Sequence, residues 1–181
     1  MHPLHSPCKK HSNKFPIPVL ALALVLLINL ASLTSSCTEQ DRSSLLRFLR
    51  ELSQDGGLAA AWQDGTDCCK WDGITCSQDS TVTDVSLASR SLQGRISPSL
   101  GNLPGLLRLN LSHNLLSGAL PKELLSSSSL ITIDVSFNRL DGDLDELPSS
   151  TPARPLQVLN ISSNLLAGQF PSSTWVVMTN L

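Results

Sequence analysis

The feature that most constrains this chain is that it repeats itself. Val82, Val85, Leu87, Leu92, Gly94 and Ile96 are followed 24 residues later by Leu106, Leu109, Leu111, Leu116, Gly118 and Leu120. The series recurs as Leu130, Ile133, Val135, Leu140, Gly142 and Leu144, then as Leu156, Leu159, Ile161, Leu166, Gly168 and Phe170, with start-to-start spacings of 24, 24 and 26 residues. A fixed period of this size means one supersecondary unit per repeat, unable to bury its apolar face alone and therefore stacked on its neighbours.

The chemistry inside the period says what the unit is. The alternation in Leu109-Asn110-Leu111 turns two side chains inward and one outward, the pattern of a half-buried strand. Three residues past the last strand position stand Asn114, Asn138 and Asn164, whose amides can bond backbone groups that a turn leaves unpaired. A Gly follows where the chain bends back, and Pro121 or Pro171 fixes the return path. Four coils result, over residues 82–105, 106–129, 130–155 and 156–180. Coil one departs from the pattern with Arg90 in place of Asn and with Pro98 shifted by one position. Coil three carries its two extra residues in the polar stretch 145–155, read as a loop on the convex side.

A solenoid end left open exposes an apolar patch and an unpaired strand edge, so a cap is required. Residues 37–81 supply it. Leu45, Leu46, Phe48, Leu49 and Leu52 share one helical face, Thr38 and Asp41 stand where a helix start needs capping, and Gly56 and Gly57 are read as ending that helix. Residues 58–62 suggest a second helical turn, and Trp71 a core residue between cap and first coil.

Before the cap lies a basic, acid-free start (Lys9, Lys10, Lys14), an apolar run over residues 17–33 and a small-residue stretch at Ser32, Thr34, Ser35 and Ser36. This is the layout of a secretory signal peptide over residues 1–36, the alternative being an uncleaved signal anchor. Cleavage leaves ten basic against fifteen acidic side chains, a formal charge of about −5. Neither nucleic acid nor an anionic membrane surface is then an implied partner. Export places Cys37, Cys68, Cys69 and Cys76 where disulfides persist. Neighbouring Cys68 and Cys69 do not bridge each other easily, so Cys69 with Cys76 and Cys68 with Cys37 is the economical arrangement among the three pairings that four cysteines allow.

The candidate binding surface follows from the strand geometry. Outward positions include Arg108, Asn110, Ser112 and His113 on coil two, Asp134, Ser136 and Phe137 on coil three, and Gln157, Asn160 and Ser162 on coil four. Arg108, His113, Asp134, Phe137 and Gln157 are the contact candidates. Asn110-Leu-Ser112 and Asn160-Ile-Ser162 are glycosylation sequons on the same face. No catalytic, cofactor or metal site is expected: His113 is the only histidine past the leader, and no hydrolase elbow, phosphate loop or kinase signature occurs. Asp141, Asp143, Asp145 and Glu146 form a cluster that no other coil repeats, which favours a solvated loop over a calcium site.

With its double cysteine and Trp in the cap and coils such as that from Leu106 to Pro121, the chain resembles plant leucine-rich-repeat extracellular domains, most closely the receptors and receptor-like proteins for tyrosine-sulfated peptides. The resemblance implies an α/β fold: a right-handed leucine-rich-repeat solenoid with a parallel concave β-sheet behind a helical, disulfide-stapled cap. It also implies a non-enzymatic extracellular or apoplastic module, or one on the outer face of the plasma membrane. In the full-length parent its partners would be a protein or peptide ligand and a co-receptor. The family holds its hormone further along, so no peptide-binding residue carries over. Coil five would open at Leu181, which reads as a truncated array, with membrane association only through a missing C-terminal segment or an uncleaved anchor. The rival readings are a secreted inhibitor of microbial wall-degrading hydrolases, similar to polygalacturonase-inhibiting proteins, and a non-functional fragment.

Overall fold

A computed structural model describes residues 36–143 and 156–168. The expected leader up to residue 35, Leu144, the 145–155 loop, Phe170, Pro171 and Leu181 lie outside the described residues. The cap comprises α1 (Glu39–Arg50), β1 (Leu52–Gln54), α2 (Leu58–Ala61), a 3-10 turn (Cys68–Lys70) and β2 (Ile74–Cys76). The coils follow as β3 (Val82–Ser86), β4 (Gln93–Arg95), a 3-10 turn (Pro98–Asn102), β5 (Arg108–Asn110), β6 (Leu115–Gly118), α3 (Lys122–Leu125), β7 (Thr132–Asp134), β8 (Arg139–Leu140) and β9 (Val158–Asn160).

The Leu-x-Leu segments form a sheet of order β2-β3-β5-β7-β9. It is parallel from β3 onward, with Val85, Leu109, Ile133 and Leu159 in register, while β2 pairs antiparallel with β3. The cap thus closes the sheet's first edge with a strand of its own. Val85, Leu109, Ile133 and Leu159 are each no more than 1% exposed, and each buried Leu-sized side chain contributes about 1.5–3 kcal/mol. Stacking of successive coils is therefore the main source of stability.

A second sheet, of order β1-β4-β6-β8, was not expected. It arises because the chain after each Asn turn extends again before the return path, and these short segments pair in parallel across coils. Its first strand corrects the reading of the cap. Helix α1 stops at Arg50 rather than at Gly56 and Gly57, and Leu52 leaves the helix to pair, as β1, antiparallel with β4. Thr38 is the N-cap, its hydroxyl accepting from the Asp41 N–H. The Asp41 side chain is no cap. It is fully buried and turns inward to accept from the Val82 N–H, tying α1 to the first coil strand.

The β1–β4 junction needs a glycine. Gly94 has φ 120°, and a Cβ there would lie 2.3 Å from the Glu51 carbonyl oxygen, whereas at Gly118 (φ 81°) the nearest atom is 3.5 Å away on the Arg95 side chain. We expect Gly94→Ala to cost about 2–3 kcal/mol, from backbone strain plus the clash, and Gly118→Ala about 1–2 kcal/mol from strain alone. Urea midpoints of the two variants check the order. Equal losses would rule out the β1–β4 contact as the cause.

Inside the cap, Trp62 lies between Phe48 (centroids 6.4 Å) and Trp71 (5.4 Å, 16° between planes). Both indole N–H groups are paired, to the Asp72 carbonyl and the Thr66 hydroxyl, so the aromatic block is buried without an unsatisfied donor. Cys37 is bonded to Cys68 and Cys69 to Cys76. Asp67 holds both bridges in place, its Oδ1 accepting from the N–H groups of Cys37 and Cys69 at 3.1 Å. Burial pushes the Asp67 carboxyl up, but those two N–H groups and the nearby Lys70 ammonium outweigh it and hold the group below the usual carboxylate range.

Candidate interaction surface

Register fixes which side chains stand side by side across the coils. One row is Asp84, Arg108, Thr132 and Val158, and the next is Ser86, Asn110, Asp134 and Asn160. Arg108 forms an ion pair with Asp84, with 63% of its side chain exposed. Gln157 is exposed, while Asp134 is half-buried and engaged by its neighbours.

Not every outward position is outward. Ser112, Ser136 and Ser162 are 6%, 2% and 8% exposed. The physical reason is a local turn: Asn110, Asp134 and Asn160 each accept, through Oδ1, the N–H and the hydroxyl of the Ser two residues on. That turn folds the hydroxyl back against the strand end. A strict strand alternation does not anticipate it.

One position further on, the backbone of every coil takes the left-handed conformation, at Ser89 (φ 57°), His113 (56°), Phe137 (52°) and Ser163 (54°). Two coils place a short serine there, and the other two place aromatic rings. His113 and Phe137 stack with centroids 4.3 Å apart and planes at 21°, and Phe137 is 51% exposed. The pair was not anticipated as a unit. Their spacing of 24 residues is the signal that would have found it, since one period places residues side by side on adjacent coils.

The acidic cluster is only partly described. Asp141 and Asp143 are exposed, and Asp145 and Glu146 lie outside the described residues. Among the described residues no group of three or more His, Cys, Asp or Glu is placed to hold a metal ion, and no helix is long and apolar enough to cross a membrane.

A disulfide-stapled helical cap followed by coils stacked one period apart around an inner Asn ladder defines a leucine-rich-repeat solenoid, a non-catalytic protein-interaction module. Residues 38–77 match the leucine rich repeat N-terminal domain and residues 105–127 the leucine rich repeat, and the chain is similar to plant leucine-rich-repeat ectodomains.

Its relatives agree. It is 43% identical over 113 residues to Receptor-like protein 3 of Arabidopsis thaliana, an alignment covering 60% of this chain and 15% of that protein. It is 36% identical over 115 residues to Phytosulfokine receptor 1 of the same plant, covering 61% and 11% respectively. The chain therefore spans less than a sixth of the length of these relatives. Among solved structures, the BIR2 ectodomain from Arabidopsis thaliana superposes with a TM-score of 0.61 at 28% identity, covering 75% of this chain and 72% of that one. A chain of the Arabidopsis BIR3–SERK2 complex gives 0.60 at 26% identity, covering 75% and 81%.

Proposed function

We propose that this chain is exported behind a signal peptide over residues 1–36 and supplies the cap and first coils of a receptor-type ectodomain for peptide signalling, where it contacts another protein rather than the hormone. The observation that carries the reading is the stacked pair His113 and Phe137. The solenoid requires a left-handed turn at that position, and serine meets the requirement in two coils. A half-exposed Phe adds backbone strain of about 1–2 kcal/mol and leaves apolar surface in water. Its gain in folding is the stack with His113, about 0.5–1.5 kcal/mol, together with burial of about half of the side chain. A strained backbone that presents a half-exposed aromatic pair to solvent supports a contact role for this rim. Arg108 and Gln157, exposed nearer the start of the strands, extend the candidate surface over the concave face. Two similar structures are of receptor assemblies, the BIR3–SERK2 complex and HAESA with the peptide IDA and the co-receptor SERK1.

Phe137→Asn keeps a residue that tolerates the turn and removes the ring. It should leave stability within about 1 kcal/mol, because relieved strain largely offsets the lost stacking and burial. Binding of the purified chain to co-receptor ectodomains of the SERK type, followed by titration calorimetry, should weaken tenfold or more, as befits a central aromatic contact. Unchanged binding in that variant sinks the reading. Inhibition of a microbial polygalacturonase without ectodomain binding would replace it with the inhibitor reading.

A further inference from the structure

Two Asn-x-Ser sequons lie in one row of the concave sheet, and the structure separates their roles. In that row Ser86, Asn110, Asp134 and Asn160 stand side by side on successive strands. The last three do the same local job. Oδ1 accepts from the hydroxyl of the second following Ser at 2.8 Å for Asn110, 2.6 Å for Asp134 and 2.8 Å for Asn160, and from its N–H at 3.0, 3.0 and 3.3 Å. Asp134 performs it with a carboxylate. The turn therefore needs an oxygen and not an amide, and an Asn-x-Ser pattern here follows from coil geometry whether or not a sugar is attached.

The amide nitrogens are what differ. Asn160 Nδ2 donates to Asp134 Oδ2 at 3.2 Å, so the fold accounts for an amide at 160, and a bulky substituent on that nitrogen would stand against the carboxylate. Asn110 Nδ2 has no hydrogen-bond partner among the described residues. On the side away from Asp134 its row neighbour is Ser86, short and exposed. Among the described residues no hydrogen bond uses the nitrogen at 110, and its neighbour on that side is small.

We propose that Asn110 carries the N-linked glycan of this chain and that Asn160 is a structural sequon left bare. The inference rests on the reading of the chain as exported. In the transfer, Asn110 Nδ2 attacks the anomeric carbon of a lipid-linked oligosaccharide pyrophosphate. The N–C bond forms, the bond from that carbon to the pyrophosphate oxygen breaks, the lipid pyrophosphate leaves and Nδ2 loses one proton. The glycan then stands beside Arg108 over the concave face of coils one and two, and the His113–Phe137 rim lies at the strand ends beyond it.

The test is site-specific glycopeptide mass spectrometry on the full chain expressed in a plant secretory host. Enzymatic deglycosylation with electrophoresis is run in parallel on the wild type, Asn110→Asp, which keeps the turn oxygen, and Ser112→Ala. The expected result is a sugar on the peptide containing Asn110, none on that containing Asn160, and no deglycosylation shift in either variant. A secreted wild-type chain with Asn160 occupied, or with Asn110 bare, overturns the proposal while leaving export intact. A chain retained inside the cell and bare at both sites overturns the export reading and this proposal with it.

Discussion

Asn114→Asp should destabilise the solenoid by about 3–5 kcal/mol, although it replaces a single heavy atom of the side chain. Asn114 Nδ2 donates to the carbonyls of Leu87, Leu111 and Ser112, and its Oδ1 accepts from the N–H groups of Arg90 and Leu92. The residue is 5% exposed. A carboxylate keeps the two acceptor bonds but turns the three donor contacts into repulsions between oxygens, with a charge held out of water. Asn114→Ala removes all five bonds without adding the charge, and should cost about 2–4 kcal/mol as backbone groups are left unpaired. Urea denaturation at neutral pH reads both. A loss below about 1 kcal/mol for the Asp variant would show that these turns open to water instead of depending on the amide.

The same ladder predicts coupling. Leu111 O accepts from Asn114 and from Asn138, and Val135 O from Asn138 and Asn164, so each carbonyl joins two coils. Asn114→Ala and Asn138→Ala share the Leu111 acceptor, and the double variant should depart from additivity by about 0.5 kcal/mol or more. Two independent turns would add.

What the sequence made legible here is what the period repeats. The inward Leu, Ile and Val positions and the inner Asn residues occur three or four times, and each recurrence reports the same environment, so the stacked solenoid can be read before any coordinates. Features that occur once are harder. β1 is three residues of ordinary composition between a helix and two glycines, and only its pairing with β4 makes it a strand. Asp41 resembles a helix cap by position, but its environment is set by Val82, far along the chain. The buried Ser112, Ser136 and Ser162 were misplaced for the opposite reason. They do repeat, but the period reports sameness, and which way a repeated side chain points is decided by a local Asn or Asp bond that strand alternation ignores. The candidate site was half legible: His113 and Phe137 were identified singly, and their stacking required the register.

Removing the Cys37–Cys68 bridge as Cys37→Ser with Cys68→Ser should cost about 3–4 kcal/mol, against about 2–2.5 kcal/mol for the Cys69–Cys76 pair, because the bridged separations are 31 and 7 residues and the longer loop loses more entropy in the unfolded chain. The two losses should also differ in place. The long bridge fixes the start of α1 to the turn that carries Trp71, so its loss should speed hydrogen exchange in α1 and expose Trp62 and Trp71 to solvent, seen as a red shift in fluorescence, before the coils melt. The short bridge closes only the segment between the 3-10 turn and β2. Acid should act on the same clamp. Asp67 is held below the usual carboxylate range in the folded cap, so its contribution is complete above that range and is lost as pH falls through the lowered folded value. In the Cys37→Ser, Cys68→Ser variant, Asp67 loses the anchored Cys37 N–H, so its carboxyl should titrate closer to its ordinary value and the acid sensitivity of the cap should shrink. An acid profile identical to the wild type's, with α1 exchange unchanged, would mean that the buried Phe48–Trp62–Trp71 block alone fixes the cap and that the bridge is incidental to it.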